Sequence, residues 1–228
     1  MAQSVALGRR GLPVYLYVPN LIGYVRVALN FVALHYALSD FRACLGCYAL
    51  SALLDALDGY AARALDQSST FGGVLDMVTD RTATASLCVV LAHLYPRYLP
   101  HFCALIMLDI FSHWAHVYAS ALNMASTHKS STNWIVRLYY HKPILFSVCA
   151  GNELFYMFIY LHAFAPGPVL GTLAVPLILP HGAEIRVAQL AILLCAPVFV
   201  FKQLTNVIQM FIAFDVLITH DQRARKER

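Results

Sequence analysis

Leu53 to Arg81 reads LLDALDGYAARALDQSSTFGGVLDMVTDR, an apolar stretch crossed by Asp55, Asp58, Asp76 and Asp80. Asp55 and Asp58 are three residues apart and Asp76 and Asp80 four apart, so on helices each pair projects from one face. The linker between the pairs, Asp66 to Thr70, is short and polar, which makes the two helices antiparallel neighbours and brings the four carboxylates together. Four such charges repel one another, and protonating them all would leave them without a use. Divalent cations resolve the conflict: an all-oxygen donor set suits Mg²⁺ or Mn²⁺, and two ions sharing carboxylates can clamp a diphosphate. Gly59, Ala61, Ala62, Gly72 and Gly73 leave space for a ligand at the backbone, and Arg63 can reach a phosphate. Small residues also let membrane helices pack closely, but here they coincide with four acids and an arginine.

The surroundings of this stretch are those of an integral membrane protein. Of 228 residues 60% are hydrophobic and 12% charged, and the mean hydropathy is +0.63, above what a soluble domain carries. Apolar runs predict an all-α fold of six transmembrane helices near residues 19–39, 43–65, 71–95, 98–124, 139–163 and 184–218, with strands a poor alternative. They make one membrane domain over 1–228, with an N-terminal segment of about 1–18 and a basic tail of about 219–228. Six spans put both termini on one side. That side carries Arg9, Arg10, Arg63, Lys129, Arg137, Lys142, Arg223, Arg225, Lys226 and Arg228, against chiefly Arg42, Arg97 and Arg186 on the other, so it is assigned to the cytosol together with the aspartates.

Met1 to Arg10 lacks the pattern of a cleavable signal peptide, and Leu12 to Pro19 reads as an interfacial element or as the start of the first helix. Ser126 to Asn133 is a polar loop, and Pro166 to Pro180 a connection punctuated by Pro and Gly. The six cysteines are scattered, without a zinc-ligand pattern, and are expected to be reduced and buried. A net charge of +4 without a dense basic face gives no reason to expect a nucleic-acid partner.

With its spacing written out, the stretch is Asp55-x2-Asp58-Gly59-x2-Ala62-Arg63-x8-Gly72-x3-Asp76-x3-Asp80. These eight residues over 26 positions resemble, without a gap, the signature of the CDP-alcohol phosphotransferase family. The resemblance implies a six-helix membrane enzyme, usually a homodimer, that moves a phosphatidyl group from a CDP-activated lipid to an alcohol. It implies two Mg²⁺ or Mn²⁺ ions on Asp55, Asp58, Asp76 and Asp80, with Asp80 also the general base. It further implies CDP-diacylglycerol contacts at Gly59, Arg63 and Ser69. Pro19-Asn20 followed by Arg26 resembles an element of the family's first helix, which adds Asn20 to the nucleotide pocket.

The signature does not choose the alcohol. VPNLIGYVRV from Val18, SHWAH from Ser112 and YYHKPILFSVCAGNELFY from Tyr139 resemble eukaryotic family members that use inositol, which implies myo-inositol as acceptor and CMP as product. A ring of hydroxyls calls for donors and acceptors, and Asp109, His113, Lys142, Asn152 and Glu153 are polar residues in apolar spans. Asn152 and Glu153 equally suit hydrogen bonding between helices. Asp109, His113 and His116 share a helical face, which we read as hydrogen bonding rather than a third metal site. Glycerol phosphate or serine are the alternative acceptors. A divalent-cation transporter would also place acids in a membrane, but Arg63 beside a cation path is unhelpful. Arg225-Lys226-Glu227-Arg228 resembles a retrieval signal of the endoplasmic reticulum, or is a tail touching anionic lipid.

Overall fold

The computed structural model of the chain describes residues 11–122, 141–175 and 179–226. Arg9, Arg10, Lys129, Arg137, Arg228 and the Ser126–Asn133 loop lie outside the described residues, as does the side chain of Lys142. Two compact units divide the chain, Met1–Val90 and Leu91–Arg228.

In the first unit a short 3-10 turn, Val14–Leu16, precedes α1 (Val18–Tyr36), followed by α2 (Phe41–Ala64) and α3 (Thr70–Leu94). Leu12 to Pro19 divides between the two expectations: Val14–Leu16 is a separate turn with Tyr15 and Leu16 exposed, and Val18 and Pro19 begin α1. Asp40 starts α2: its Oδ1 accepts from the backbone N–H groups of Arg42 at 2.9 Å and Ala43 at 3.2 Å, which the helix itself leaves unpaired. At the other end Asp66 adopts a left-handed conformation (φ 53°), which stops the helix. The Gln67 side chain then accepts the backbone N–H of Val18 at 2.9 Å, fastening the α2–α3 linker to the start of α1. Ser69 Oγ accepts from the Gly72 N–H at 3.0 Å and caps α3. Gly23 lets α1 and α3 close together, since a Cβ there would lie 2.8 Å from Leu75 Cδ2.

In the second unit a 3-10 turn, Pro96–Tyr98, leads into α4 (Leu99–Leu122); then come α5 (Lys142–Phe164), β1 (Val169–Val175), β2 (Leu179–Arg186) and α6 (Val187–Lys226). α4 and α5 each pack on α6. Ala115 and Ala119 of α4 meet Ala213 of α6, and Phe155 of α5 stacks on Phe199 of α6 with ring centroids 4.1 Å apart. Gly151 sits at the tightest point of the α5–α6 contact, where a Cβ would lie 2.6 Å from Val198 Cγ1. Gly151→Val is therefore expected to destabilise the protein by about 1–3 kcal/mol through overpacking, read as a lower midpoint of thermal unfolding in detergent.

Three expectations need correction. Pro166 to Pro180 is not a plain connection: residues from Val169 onward pair as an antiparallel hairpin, with Val169 opposite Arg186 and Val175 opposite Leu179. Backbone pairing there outweighs helix formation, so α6 begins at Val187 rather than at 184. The last helix, expected to end near 218, runs on through Lys226 without a stop signal, so the basic tail continues it. The cysteines form no disulfide, but only Cys44 and Cys88 are buried; Cys47, Cys149 and Cys195 are partly exposed and Cys103 exposed.

Among the described residues three segments are long and apolar enough to cross a membrane: Pro96–Leu122, Pro143–Phe164 and Val187–Lys226. The polar content of the first unit is the reason its helices read less clearly, since α2 and α3 carry the four aspartates with Arg42, Arg63 and Arg81.

Candidate functional site

The cap, the left-handed turn at Asp66 and the Gln67 clasp hold α1, α2 and α3 so that one side chain from α1 meets acids from both of the others. That side chain is Arg26, whose exposure is only 3%. Its Nη1 donates to Asp58 Oδ2 and Asp76 Oδ1, both at 2.7 Å, and its Nη2 lies 2.7 Å from Asp55 Oδ1 and donates to Asp80 Oδ1. All four aspartates thus surround one guanidinium. Arg81 stands 3.7 Å from the second oxygen of Asp80. Ser51 Oγ donates to the Arg26 backbone carbonyl at 3.3 Å, joining α2 to α1 beneath the cluster.

The acids are not equivalent. Asp58 is buried, with a side-chain exposure of 9%, whereas Asp55, Asp76 and Asp80 show 43%, 45% and 33%. Asp55, Asp76 and Asp80 each offer an oxygen within 4.8 Å of the others, and among the described residues they are the only cluster of this kind. An all-oxygen donor set with more negative charge than Arg26 balances fits a hard divalent cation such as Mg²⁺ or Mn²⁺.

Beside the acids opens a cavity of about 200 Å³, lined by Asn20, Asp58, Gly59, Ser69, Gly72 and Asp76 among others. Asn20 is buried, its Nδ2 donating to the Val14 carbonyl at 2.6 Å, while its Oδ1 is buried without a hydrogen-bond partner among the described residues. Burying an acceptor unpaired is costly, and this oxygen belongs to a residue that lines the cavity. Gly72 is fixed by the same atoms, since a Cβ there would lie 2.7 Å from Asn20 Oδ1 and 3.1 Å from Ser69 Oγ. Arg63 is exposed and folds back over Gly59, with Nη1 3.4 Å from where a Cβ would lie. Of the sequence-derived nucleotide contacts, Asn20, Gly59 and Ser69 line one cavity with Asp58 and Asp76, and Arg63 stands over Gly59 without lining it.

Over residues 16–219 the sequence matches the family described as CDP-alcohol phosphatidyltransferase. The chain belongs to this family. It is similar to the Schizosaccharomyces pombe protein named CDP-diacylglycerol–inositol 3-phosphatidyltransferase, 42% identical over 221 residues that cover 93% of each chain. Proteins of the same name from Drosophila melanogaster and Homo sapiens are 40% and 38% identical, covering 94% of this chain and 91% and 98% of theirs. No solved structure matches the chain. The residues 55–80 that carry the four acids lie inside the matched family region.

The acceptor candidates of this family member lie in the second unit. On α4 His113 Nδ1 is 2.8 Å from the Asp109 carbonyl, 3.2 Å from Ser112 Oγ and 3.5 Å from Asp109 Oδ1. On α5 Asn152 Nδ2 donates to Glu153 Oε1 at 3.3 Å, while Asn152 Oδ1 accepts from Gln203 Nε2 of α6 at 3.0 Å. Asn152 thus makes the interhelical bond that was the alternative reading. Lys142 opens α5.

Sequence reasoning gave two features too little weight. Arg26 entered only as part of a resemblance, although a cation in an apolar span was itself a signal. Lys202, Thr205, Asn206 and Gln209 form a buried polar stripe on α6, in which Lys202 Nζ donates to Asn206 Oδ1. Their i, i+3, i+4, i+7 spacing was legible.

One prediction rests on the cavity. Gly72→Ala places a methyl against Asn20, which the bond to Val14 prevents from swinging aside. The expected result is a KM for the CDP-lipid raised about tenfold or more, the scale of a 1–3 kcal/mol overpacking, measured by initial rates at saturating acceptor.

Proposed function

We propose that the protein transfers the phosphatidyl group of CDP-diacylglycerol to myo-inositol and releases CMP. The observation that carries this reading is the identity of 38–42% over more than nine-tenths of each chain with proteins named CDP-diacylglycerol–inositol 3-phosphatidyltransferase. The eight-residue signature and the convergence of its four aspartates support the chemistry.

Loss of its proton makes the attacking alcohol oxygen negative, and breaking of its bond to phosphorus makes the departing CMP oxygen negative. Asp55, Asp58, Asp76 and Asp80 would hold two Mg²⁺ or Mn²⁺ ions, which supply positive charge toward those oxygens. Asn20, Gly59 and Ser69 bind the nucleotide in the cavity, and Arg63, exposed at Gly59, meets a phosphate. An alcohol is a weak nucleophile until it loses its proton, so a carboxylate within reach must take it. Asp80 is assigned that role; its partial exposure leaves it open to an entering alcohol. Asp109, His113, Lys142, Asn152 and Glu153 are the candidates for recognising inositol, and His113 with Asp109 offers the donor and acceptor pair a vicinal diol needs.

The wider reading is a six-span homodimer of the endoplasmic reticulum membrane, forming one membrane domain with its active site and both termini toward the cytosol. The three long apolar helices support the membrane part of this reading, and the basic residues at the end of α6 support the cytosolic side for the C-terminus. The deciding experiment gives purified protein CDP-diacylglycerol with inositol, serine or glycerol phosphate in turn and measures CMP and the new phospholipid. Inositol alone is expected to give both. Product with serine or glycerol phosphate instead would overturn the acceptor, and no CMP with any of them would overturn the transferase reading in favour of cation passage.

A further inference from the structure

Arg26 is a fixed cation at the centre of the carboxylates that the proposed reaction needs for its metal ions. All four of its ion pairs fall on oxygens of the signature aspartates, and its Nε is buried without a hydrogen-bond partner, so nothing else in the described structure holds the guanidinium. Each pair comes from a different register position: α1 supplies the cation, α2 supplies Asp55 and Asp58, and α3 supplies Asp76 and Asp80. The guanidinium therefore sets the spacing of acids that would otherwise repel one another across the α2–α3 gap.

We propose that Arg26 is a positioning residue that competes with divalent cations for these carboxylate oxygens and makes the metal-loaded site more positive toward the diphosphate of the lipid nucleotide. This rests on the metal-site reading of the preceding section. The charge count gives the reason. Four ionised carboxylates with Arg26 and with Arg81, which stands 3.7 Å from Asp80, carry two formal negative charges, and two divalent ions change this to two positive charges. Without Arg26 the same loaded site would carry one positive charge. Two consequences of opposite sign follow from its removal. Metal binding tightens, because a competing cation has left, and nucleotide binding weakens, because half of the net positive charge facing a diphosphate has gone. A side chain that merely held the helices together would weaken both.

The test uses the full chain purified in detergent, with Mn²⁺ titrated directly and free ion read by electron paramagnetic resonance, followed by initial rates with CDP-diacylglycerol and inositol. For Arg26→Gln the Mn²⁺ dissociation constant is expected to fall about tenfold or more, since one opposite charge in contact shifts the cation affinity of a carboxylate by roughly one to three decades. The KM for CDP-diacylglycerol is expected to rise several-fold in the same variant. An unchanged or weaker Mn²⁺ affinity in a folded Arg26→Gln protein overturns the proposal. Should that variant not fold, Arg26→Lys decides: its compact ammonium lacks the fork that reaches all four acids, so Mn²⁺ affinity is expected to rise several-fold, and no rise overturns the proposal. Wild-type protein that binds no Mn²⁺ overturns both this inference and the metal reading, whereas wild-type binding with both variants unchanged overturns the role of Arg26 alone.

Discussion

Asp80→Asn is expected to lower kcat for CMP release by about 10²–10⁴-fold, the range for losing a general base, while leaving a folded protein that still binds the CDP-lipid. The fold should survive because asparagine keeps the size of aspartate and an oxygen that can accept from Arg26, and because Arg26 retains its contacts with Asp55, Asp58 and Asp76. Binding should survive because the cavity is lined by Asn20, Gly59, Ser69 and Gly72, none of which touches the altered atom. Turnover in inositol transfer is the decisive measurement, and a rate near wild type would remove Asp80 from the role of base.

A second large effect is expected at Asp76, which lines the cavity and also belongs to the triad of closely spaced carboxylates. Asp76→Asn removes a charge from the proposed metal set, and turnover should drop at least about a hundredfold, as when one electrostatic stabiliser of a transition state is lost. Rates measured against Mn²⁺ concentration separate this position from Asp80. Mass action can offset a weakened ion site but cannot supply a missing base. Excess Mn²⁺ is therefore expected to restore part of the Asp76→Asn rate and almost none of the Asp80→Asn rate. Equal recovery in the two variants would contradict the division of roles.

Much of the first unit was legible in the residues. The i, i+3 and i, i+4 spacing of the acids with a short polar linker is enough to require two antiparallel helices with converging carboxylates, and the observed pairs meet through one guanidinium. Helix ends were less legible, because Asp66 leaves the helical region without being a glycine and the start of α6 depends on the pairing of β2 with β1. A strand is defined by its neighbour, so a run such as Val169–Val175 carries little sign of pairing until the partner is in place. The polar residues of α4 and α5 were legible as exceptions to an apolar pattern, but not their partners. Asn152 reaches Gln203 only through the packing of α5 on α6.

By itself, then, the sequence determined a helical membrane protein with four acids brought to one place and the signature of a CDP-alcohol enzyme around them, because periodicity, charge and spacing are local properties. The tertiary structure decided what stands among those acids. Arg26 lies 29 residues before Asp55 and 54 before Asp80 on the chain, and no periodicity links positions so far apart. Only the crossing of α1 with α2 and α3, fixed by small residues such as Gly23 and by the Gln67 clasp, puts its guanidinium at the centre of the site.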